Sequence, residues 1–269
     1  MIELNSIYNE DCLEGMKRIP EGSVDCIICD LPYGTTDCSW DSIIPLDKVW
    51  EQYNRVIKKS GAIILFAQQP FTAILTCSNL KLYRHNYVWI KDKCGNFIAA
   101  RYQPGKYVED IIVFSKGGFT HNARNKSTYN PIMVETDVYR DVTKGKKVRM
   151  ADCFSSTKLR NRPCNEKMLI YGKNKEPNTK FPTNYLYFPV PFGKDRIHPT
   201  QKPVALIEYL IKTYTNEGET ILDNCMGSGT TAVAAIRTKR NFIGFELQKE
   251  YFDIANKRVK DEQQQFKLF

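Results

Sequence analysis

The 269-residue sequence has no apolar run long enough to cross a membrane: its longest unbroken stretches, such as AIILFA at residues 62–67, fall far short of a bilayer core. The opening MIELNSIYNEDC has no basic segment leading into an apolar one, so export is not expected and a cytoplasmic setting is. Metal-ligand spacing is also missing. The nine cysteines are scattered, and the one close pair, Cys26 and Cys29, sits among strand-forming residues with no second pair at ligand spacing behind it. Reduced thiols inside a strand are expected, and no metal. The chain has no internal repeat.

Acidic residues run short in one segment only. Between His121 and Thr200 there are 16 Lys and Arg against 7 Asp and Glu, and the rest of the chain is balanced at 23 of each, so the whole net charge of +9 lies in that segment. It interleaves its basic residues with aromatic and small polar ones (KGKKVRM, STKLRNRPCNEK) and has little sustained periodicity. A solvated basic face would look like this; so would a polyanion-binding insertion, whose electrostatic footprint is a basic patch confined to one region.

Outside that segment the pattern is regular. VDCIIC and AIILFA read as buried strands. LDKVWEQYNRVIKKS spaces Leu46, Val49, Trp50, Tyr53, Val56 and Ile57 at helical intervals, with Gly61 as its stop. RHNYVWIKDK and VEDIIVFSKGG are strand-like. After Pro199 come a helix behind Pro203, a strand TILD, a small-residue helix from about Ser228, a strand NFIGFEL and a closing helix. Strands alternating with helices predict an α/β fold built on a mainly parallel, doubly wound sheet.

Two strand ends carry chemistry. The first strand pattern runs into Asp30-Leu31-Pro32-Tyr33-Gly34, which presents a carboxylate, a backbone carbonyl and an aromatic ring where open α/β sheets bind ligands. As a pentapeptide alone it also reads as a simple strand-exit turn, with Pro and Gly as breakers. The second, LDNCMGSGTTAVAA at residues 222–235, is a glycine-rich turn opening a helix, so backbone N–H groups converge on an anionic group. Gly227, Gly229 and Ala232 satisfy the dinucleotide fingerprint, and Glu246 ends the next strand where ribose hydroxyls bind. An adenosine-containing cofactor is expected. A dehydrogenase would place its glycine turn after the first strand; here the turn comes about fifty residues from the C-terminus, which fits a circularly permuted sheet.

In that order the motifs resemble the S-adenosylmethionine-dependent DNA amino-methyltransferases, adenine-N6 or cytosine-N4, of the beta group, in which the catalytic tetrapeptide precedes the cofactor loop. Their Asp-Pro-Pro-Tyr is matched by Asp30, Leu31, Pro32 and Tyr33. Their Asp-Pro-Phe-x-Gly-Ser-Gly-Thr-Thr is matched by Asp223, Gly227, Ser228, Gly229, Thr230 and Thr231. HPTQKP, with Thr200 and Lys202, is similar to the element closing over the methionine end of the cofactor; Asp11 matches an adenine contact and Glu246 the ribose ligand. The resemblance implies a Rossmann-like methyltransferase sheet with a target-recognition insertion. The catalytic half spans 1–118, the basic insertion 119–196, the cofactor half 197–260 and a tail 261–269. It covers both halves and not the insertion.

The implied catalytic residues are Asp30, Leu31, Pro32 and Tyr33. The implied cofactor residues are Asp11, Asp30, Thr200, Lys202, Asp223, Gly227, Gly229, Thr230, Thr231 and Glu246. The implied reaction methylates the exocyclic amine of a base flipped out of DNA, as in restriction-modification systems. Asp in first position resembles adenine enzymes; cytosine-N4 members more often carry Ser. Leu31 in place of proline still offers its backbone carbonyl, while Asn224 and Cys225 in place of Pro-Phe alter the pocket wall. Lys158, Arg160 and Arg162 are expected on phosphates. Pro163-Cys164 echoes the nucleophile dipeptide of cytosine-C5 enzymes, but it lacks their Glu-Asn-Val element and reads as loop. The reading of another class, a nicotinamide-dependent oxidoreductase, gives DLPYG and HPTQKP no role. Gln265, Phe266, Leu268 and Phe269 resemble the peptide by which bacterial replication proteins dock on the sliding clamp. DNA, that clamp and a second copy of the chain are the implied partners, in the nucleoid of a bacterial or phage-infected cell.

Overall fold

Buried strands of unequal hydrophobicity set the frame of the sheet. The computed structural model describes residues 2–34, 43–96, 101–135, 179–193 and 201–266. These divide into two compact units, Met1–Asn130 with Thr183–Phe269, and Pro131–Pro182.

The larger unit is built on an eight-stranded sheet. In chain order its strands are β1 (Ser6–Tyr8), β2 (Val24–Cys29), β3 (Ile57–Ala67), β4 (Tyr83–Ile90), β5 (Val108–Ser115), β8 (Tyr185–Tyr187), β9 (Thr220–Asp223) and β10 (Asn241–Phe245). They lie in the order β1-β10-β9-β2-β3-β5-β4-β8. Every pairing is parallel except the two made by β5, so β5 alone runs against the rest. Both faces are covered, as the apolar run VDCIIC requires: all six residues of β2 are buried. One face packs Cys26, Ile28, Ile64, Phe66 and Trp89 under helices α4 (Val204–Tyr214), α5 (Thr230–Arg237) and α6 (Lys249–Phe266). The other packs Ile27, Ile63, Leu65 and Phe114 under α1 (Cys12–Met16), α2 (Leu46–Val56) and α3 (Phe71–Ser78). This is the doubly wound α/β sheet the periodicity predicts.

Three boundaries differ from the sequence reading. The helix expected to reach Gly61 ends at Val56, and β3 starts at Ile57, paired with Val24. Gly61 is a strand residue whose missing side chain lets the Asp25 carbonyl approach, since a Cβ there would lie 2.6 Å from it. At the C-terminus α6 runs to Phe266, as the closing helix read through Gln265 expects, so the stretch 261–266 set apart as tail in the domain division is helical. Gln265 is exposed in its last turn, and Leu268 and Phe269 lie outside the described residues.

Residues 119–130 and 183–193, placed with the basic insertion by their charge, belong to the sheet unit. Thr128 N donates to Ser60 O at 3.0 Å, Asn130 N to Thr213 O at 2.7 Å, and β8 pairs with β4. Local composition registers charge and not backbone pairing. In the smaller unit β6 (Val134–Glu135) pairs antiparallel with β7 (Thr179–Lys180). Lys158, Arg160, Arg162, Pro163 and Cys164 lie outside the described residues, as does Thr200. No helix among the described residues is long and apolar enough to cross a membrane.

Candidate active site

Parallel pairing carries the ends of β2 and β9 to the same edge of the sheet. Ile27 lies opposite Leu222 across β2 and β9, so Asp30 and Asp223 leave neighbouring strands together. After Asp30 the chain folds back: Leu31 is 3% exposed and packs among the core residues of the α2 face, and Gly34 turns with φ +66°. The Tyr33 ring stacks on Phe71 at 5.2 Å between centroids.

Four charged groups and one phenol meet here. Lys202 Nζ donates to Asp30 Oδ2 at 2.5 Å and lies 3.0 Å from Glu109 Oε1. Lys91 Nζ holds the other Glu109 oxygen at 2.7 Å. The Tyr33 hydroxyl donates to Asp30 Oδ1 at 2.6 Å and has Glu109 Oε1 as a second acceptor at 3.2 Å. Lys202 and Lys91 also sit over the Phe66 and Trp89 rings, at 5.1 and 4.8 Å. With two carboxylates and two ammonium groups, the cluster is neutral in sum.

Burial pushes the Asp30 carboxyl above its ordinary range, with the Glu109 charge adding to the rise and Lys202 opposing it. Burial pushes Glu109 up as well, but Lys202 and Lys91 outweigh it and hold the carboxyl below its ordinary range. For Lys202 burial favours the neutral amine; Asp30 and Glu109 overcome this and raise it. The Tyr33 phenol is raised by burial and by both carboxylates.

Glu109 and Lys91 were not singled out from sequence. A signal existed. In VEDIIVFS, Glu109 shares its strand face with Ile111 and Val113, which are core residues, so a carboxylate stands at a core position. The reversed direction of β5 puts Glu109 at the strand's start, level with Trp89 and among the C-terminal ends of its neighbours.

The glycine turn lies beside this cluster. Gly227 and Gly229 have φ of +55° and +83°, and a Cβ on Gly229 would meet Ala255 Cβ at 2.9 Å and its Cα at 3.0 Å. Glu246 fixes the turn: its Oε2 accepts from Gly227 N at 2.7 Å and its Oε1 from Gln248 N at 2.8 Å. Asp223 Oδ1 accepts from Cys225 N at 3.1 Å, and burial lifts its carboxyl to about 7 against the lowering hydrogen bond from Thr231. Thr230 and Thr231 are buried in the first turn of α5, where Arg258 Nη1 also reaches Ser228 O at 2.6 Å. Asp11 caps α1, accepting from Leu13 N at 2.8 Å and Glu14 N at 3.2 Å.

Asn224 and Cys225, the departures from the family loop, contact Cys12: Asn224 Nδ2 lies 3.5 Å from Cys12 Sγ and 3.6 Å from Cys225 Sγ. Lys202, expected at the cofactor, lies on Asp30.

The residues present suit an adenosine-bearing cationic cofactor: a turn of free backbone geometry, an acidic strand end at Glu246 and a second carboxylate at Asp223. The sequence model of the family described as DNA methylase matches residues 24–257. The chain is 30% identical to the DNA adenine methyltransferase YhdJ of Escherichia coli (strain K12) over 96% of its length and 83% of that protein's. The M1.HpyAVI–SAM complex superposes with a TM-score of 0.57 at 24% identity, over 94% of this chain and 98% of that one. The PvuII cytosine-N4-specific DNA methyltransferase superposes at 0.63 with 14% identity, over 98% and 92%.

Proposed function

Because the chain belongs to the DNA methylase family of N6 and N4 amino-methyltransferases, we propose that it methylates the N6 amine of adenine in DNA, using S-adenosylmethionine. The observation that carries this is the pairing of Asp30 and the glycine turn at neighbouring strand ends, with Asp rather than Ser in the first catalytic position. The 30% identity to a DNA adenine methyltransferase supports the choice of base.

An exocyclic amine is a poor nucleophile because its lone pair is delocalised into the ring. Two acceptors, the Asp30 carboxylate and the Leu31 carbonyl, each take one N–H and favour the pyramidal amine whose lone pair is directed at the methyl donor. The Tyr33 ring stacks on the base. When bound, S-adenosylmethionine supplies an electrophilic methyl group on a sulfonium. Gly227, Gly229, Thr230, Thr231 and Asp223 hold its amino-acid end, and Glu246 and Asp11 its adenosine. Forming the N–CH₃ bond would break the methyl–sulfur bond, with its electron pair left on sulfur as a neutral thioether, and the nitrogen would shed one proton, which Asp30 would accept and pass to water.

The target atom is out of reach inside a duplex, so the base is flipped, at an unpairing cost of a few kcal/mol offset by stacking and phosphate contacts. We assign those phosphate contacts to the basic segment holding Lys158, Arg160 and Arg162.

The test is incubation with S-adenosylmethionine and unmethylated DNA, digestion to nucleosides and mass spectrometry. N6-methyldeoxyadenosine is expected. N4-methyldeoxycytidine would overturn the choice of base and keep the mechanism, whereas no methylated nucleoside would overturn both.

A further inference from the structure

The proposed reaction gives Asp30 its role and leaves Glu109, a buried carboxylate 6% exposed, without one. We infer that Glu109, neutralised from behind by Lys91, is a positioning residue that frees an Asp30 oxygen for the target amine by sharing the two donors now occupying Asp30. The kinetic part of this inference rests on the methyltransferase reading above.

Both Asp30 oxygens are engaged, Oδ1 by the Tyr33 hydroxyl and Oδ2 by Lys202, at 2.6 and 2.5 Å. Each oxygen keeps a further lone pair, so an arriving amine N–H competes with these donors for the Asp30 carboxylate and weakens their hold on it. A donor that loosens from Asp30 with no other acceptor within reach loses hydrogen-bond energy in a site that is largely buried. Glu109 Oε1 offsets that loss, because it already lies 3.2 Å from the Tyr33 hydroxyl and 3.0 Å from Lys202 Nζ. A shift of a few tenths of an ångström turns either long contact into the shorter one.

Lys91 is what lets Glu109 stay charged at such a depth. Without it, two buried carboxylates would share one ammonium, and one of them would take up a proton.

Among the described residues, the groups facing this pair are few. Asp30, Tyr33, Lys202 and Lys91 touch Glu109 or one another directly, and Asp223 adds a like charge beside Asp30 from the next strand end. Asp110 accepts from Thr72 on the opposite face of β5. Removing the Glu109 charge therefore lowers the Asp30 titration, because a like charge is lost, and lowers that of Lys202, because an opposite one is. Removing the Lys91 charge does the opposite to Asp30.

The experiment uses the full chain with Glu109→Gln and, separately, Lys91→Gln. Carboxyl ¹³C NMR of the free protein reads the Asp30 titration without turnover, and the pH dependence of kcat reads it in action. For E109Q the Asp30 midpoint and the acid limb of the kcat profile move to lower pH. In the same variant kcat falls about ten- to a hundredfold, with KM for S-adenosylmethionine changed by less than about twofold. For K91Q the Asp30 midpoint moves to higher pH.

A purely structural role would scale the profile down without moving its acid limb, and that result overturns the inference, as does an unmoved Asp30 midpoint in both variants. If E109Q fails to fold, the upward shift in K91Q decides alone, since Lys91 touches Glu109 and not Asp30. Opposite NMR shifts in a protein that methylates no DNA would keep the charge coupling and sink the methyltransferase reading. Unmoved midpoints in an active enzyme would sink this inference alone.

Discussion

Replacing Asp30 by Ala removes an acceptor and leaves the cluster one positive charge in excess, but Lys202 keeps Glu109 as a partner at 3.0 Å. The variant is therefore expected to fold, to bind S-adenosylmethionine within a few-fold of the parent affinity, and to lose about 10²–10⁴ in kcat. Calorimetry and single-turnover methylation read the two effects apart, and an unchanged rate would take Asp30 out of the mechanism.

Asp223 makes a second residue-level case. Its carboxyl is lifted to about 7 by burial, so below that pH the free protein holds it protonated. A cofactor bearing a sulfonium and an ammonium favours the ionised form, and binding must then release the proton. Affinity should consequently fall about tenfold per pH unit on descending below 7, and Asp223→Asn should flatten that slope. A slope identical in both proteins would assign the titration elsewhere.

At this scale the sequence told half the story. Asp30, Tyr33, Asp223 and Glu246 stand at strand ends, and ends are readable from where an apolar run stops. Glu109 stands at a strand's beginning, and only the reversed direction of β5 makes that a site position.

Element placement follows the same logic at larger spacing. The short apolar run VDCIIC and the 3.6 period of VALIEYLIKTY located β2 and α4, because burial on two faces or one stripe leaves a local trace. Strand order leaves none: β10 and β9 wedge between β1 and β2, across more than 200 residues of chain. A three-residue strand such as β8 depends on its partner rather than on its own composition. The α2–β3 junction was misread because Lys58-Lys59-Ser60 continues a helical spacing, while Ile57 gains more by pairing with Val24 in the sheet.

The glycine turn ties α5 to α6, and its tightness is testable. Gly229→Ala puts a methyl 2.9 Å from Ala255 Cβ at a backbone φ of +83°. Left-handed strain of roughly 1–2 kcal/mol and overpacking of roughly 1–3 kcal/mol should together lower stability and weaken cofactor binding. Adding Ala255→Gly removes the nearest of the close atoms but keeps the strain and the crowding against the backbone of residue 255, so the double variant should recover part of the loss. Chemical denaturation of the cycle decides it: strictly additive losses would show that the two residues do not meet.

For the whole molecule the relevant quantity is where the charge lies. A net +9 spread evenly would say little beyond solubility, but here 119–196 carries the excess and the rest of the chain is balanced. The site cluster is itself neutral, with Asp30 and Glu109 against Lys202 and Lys91, so it adds no long-range pull on a phosphate backbone. Attraction for DNA and catalysis on the base are thereby assigned to different parts of the chain, and they should respond to different variants. If Lys158, Arg160 and Arg162 each neutralise one phosphate, replacing all three by Ala reduces the slope of log Kobs against log salt by about 3. If their role is confined to phosphate binding, the same variant should leave kcat at saturating DNA within about twofold. Fluorescence anisotropy across a salt series measures the slope and single-turnover methylation the rate. An unchanged slope would move the phosphate contacts off these residues, and a collapsed kcat with an unchanged slope would make the segment part of the chemical step.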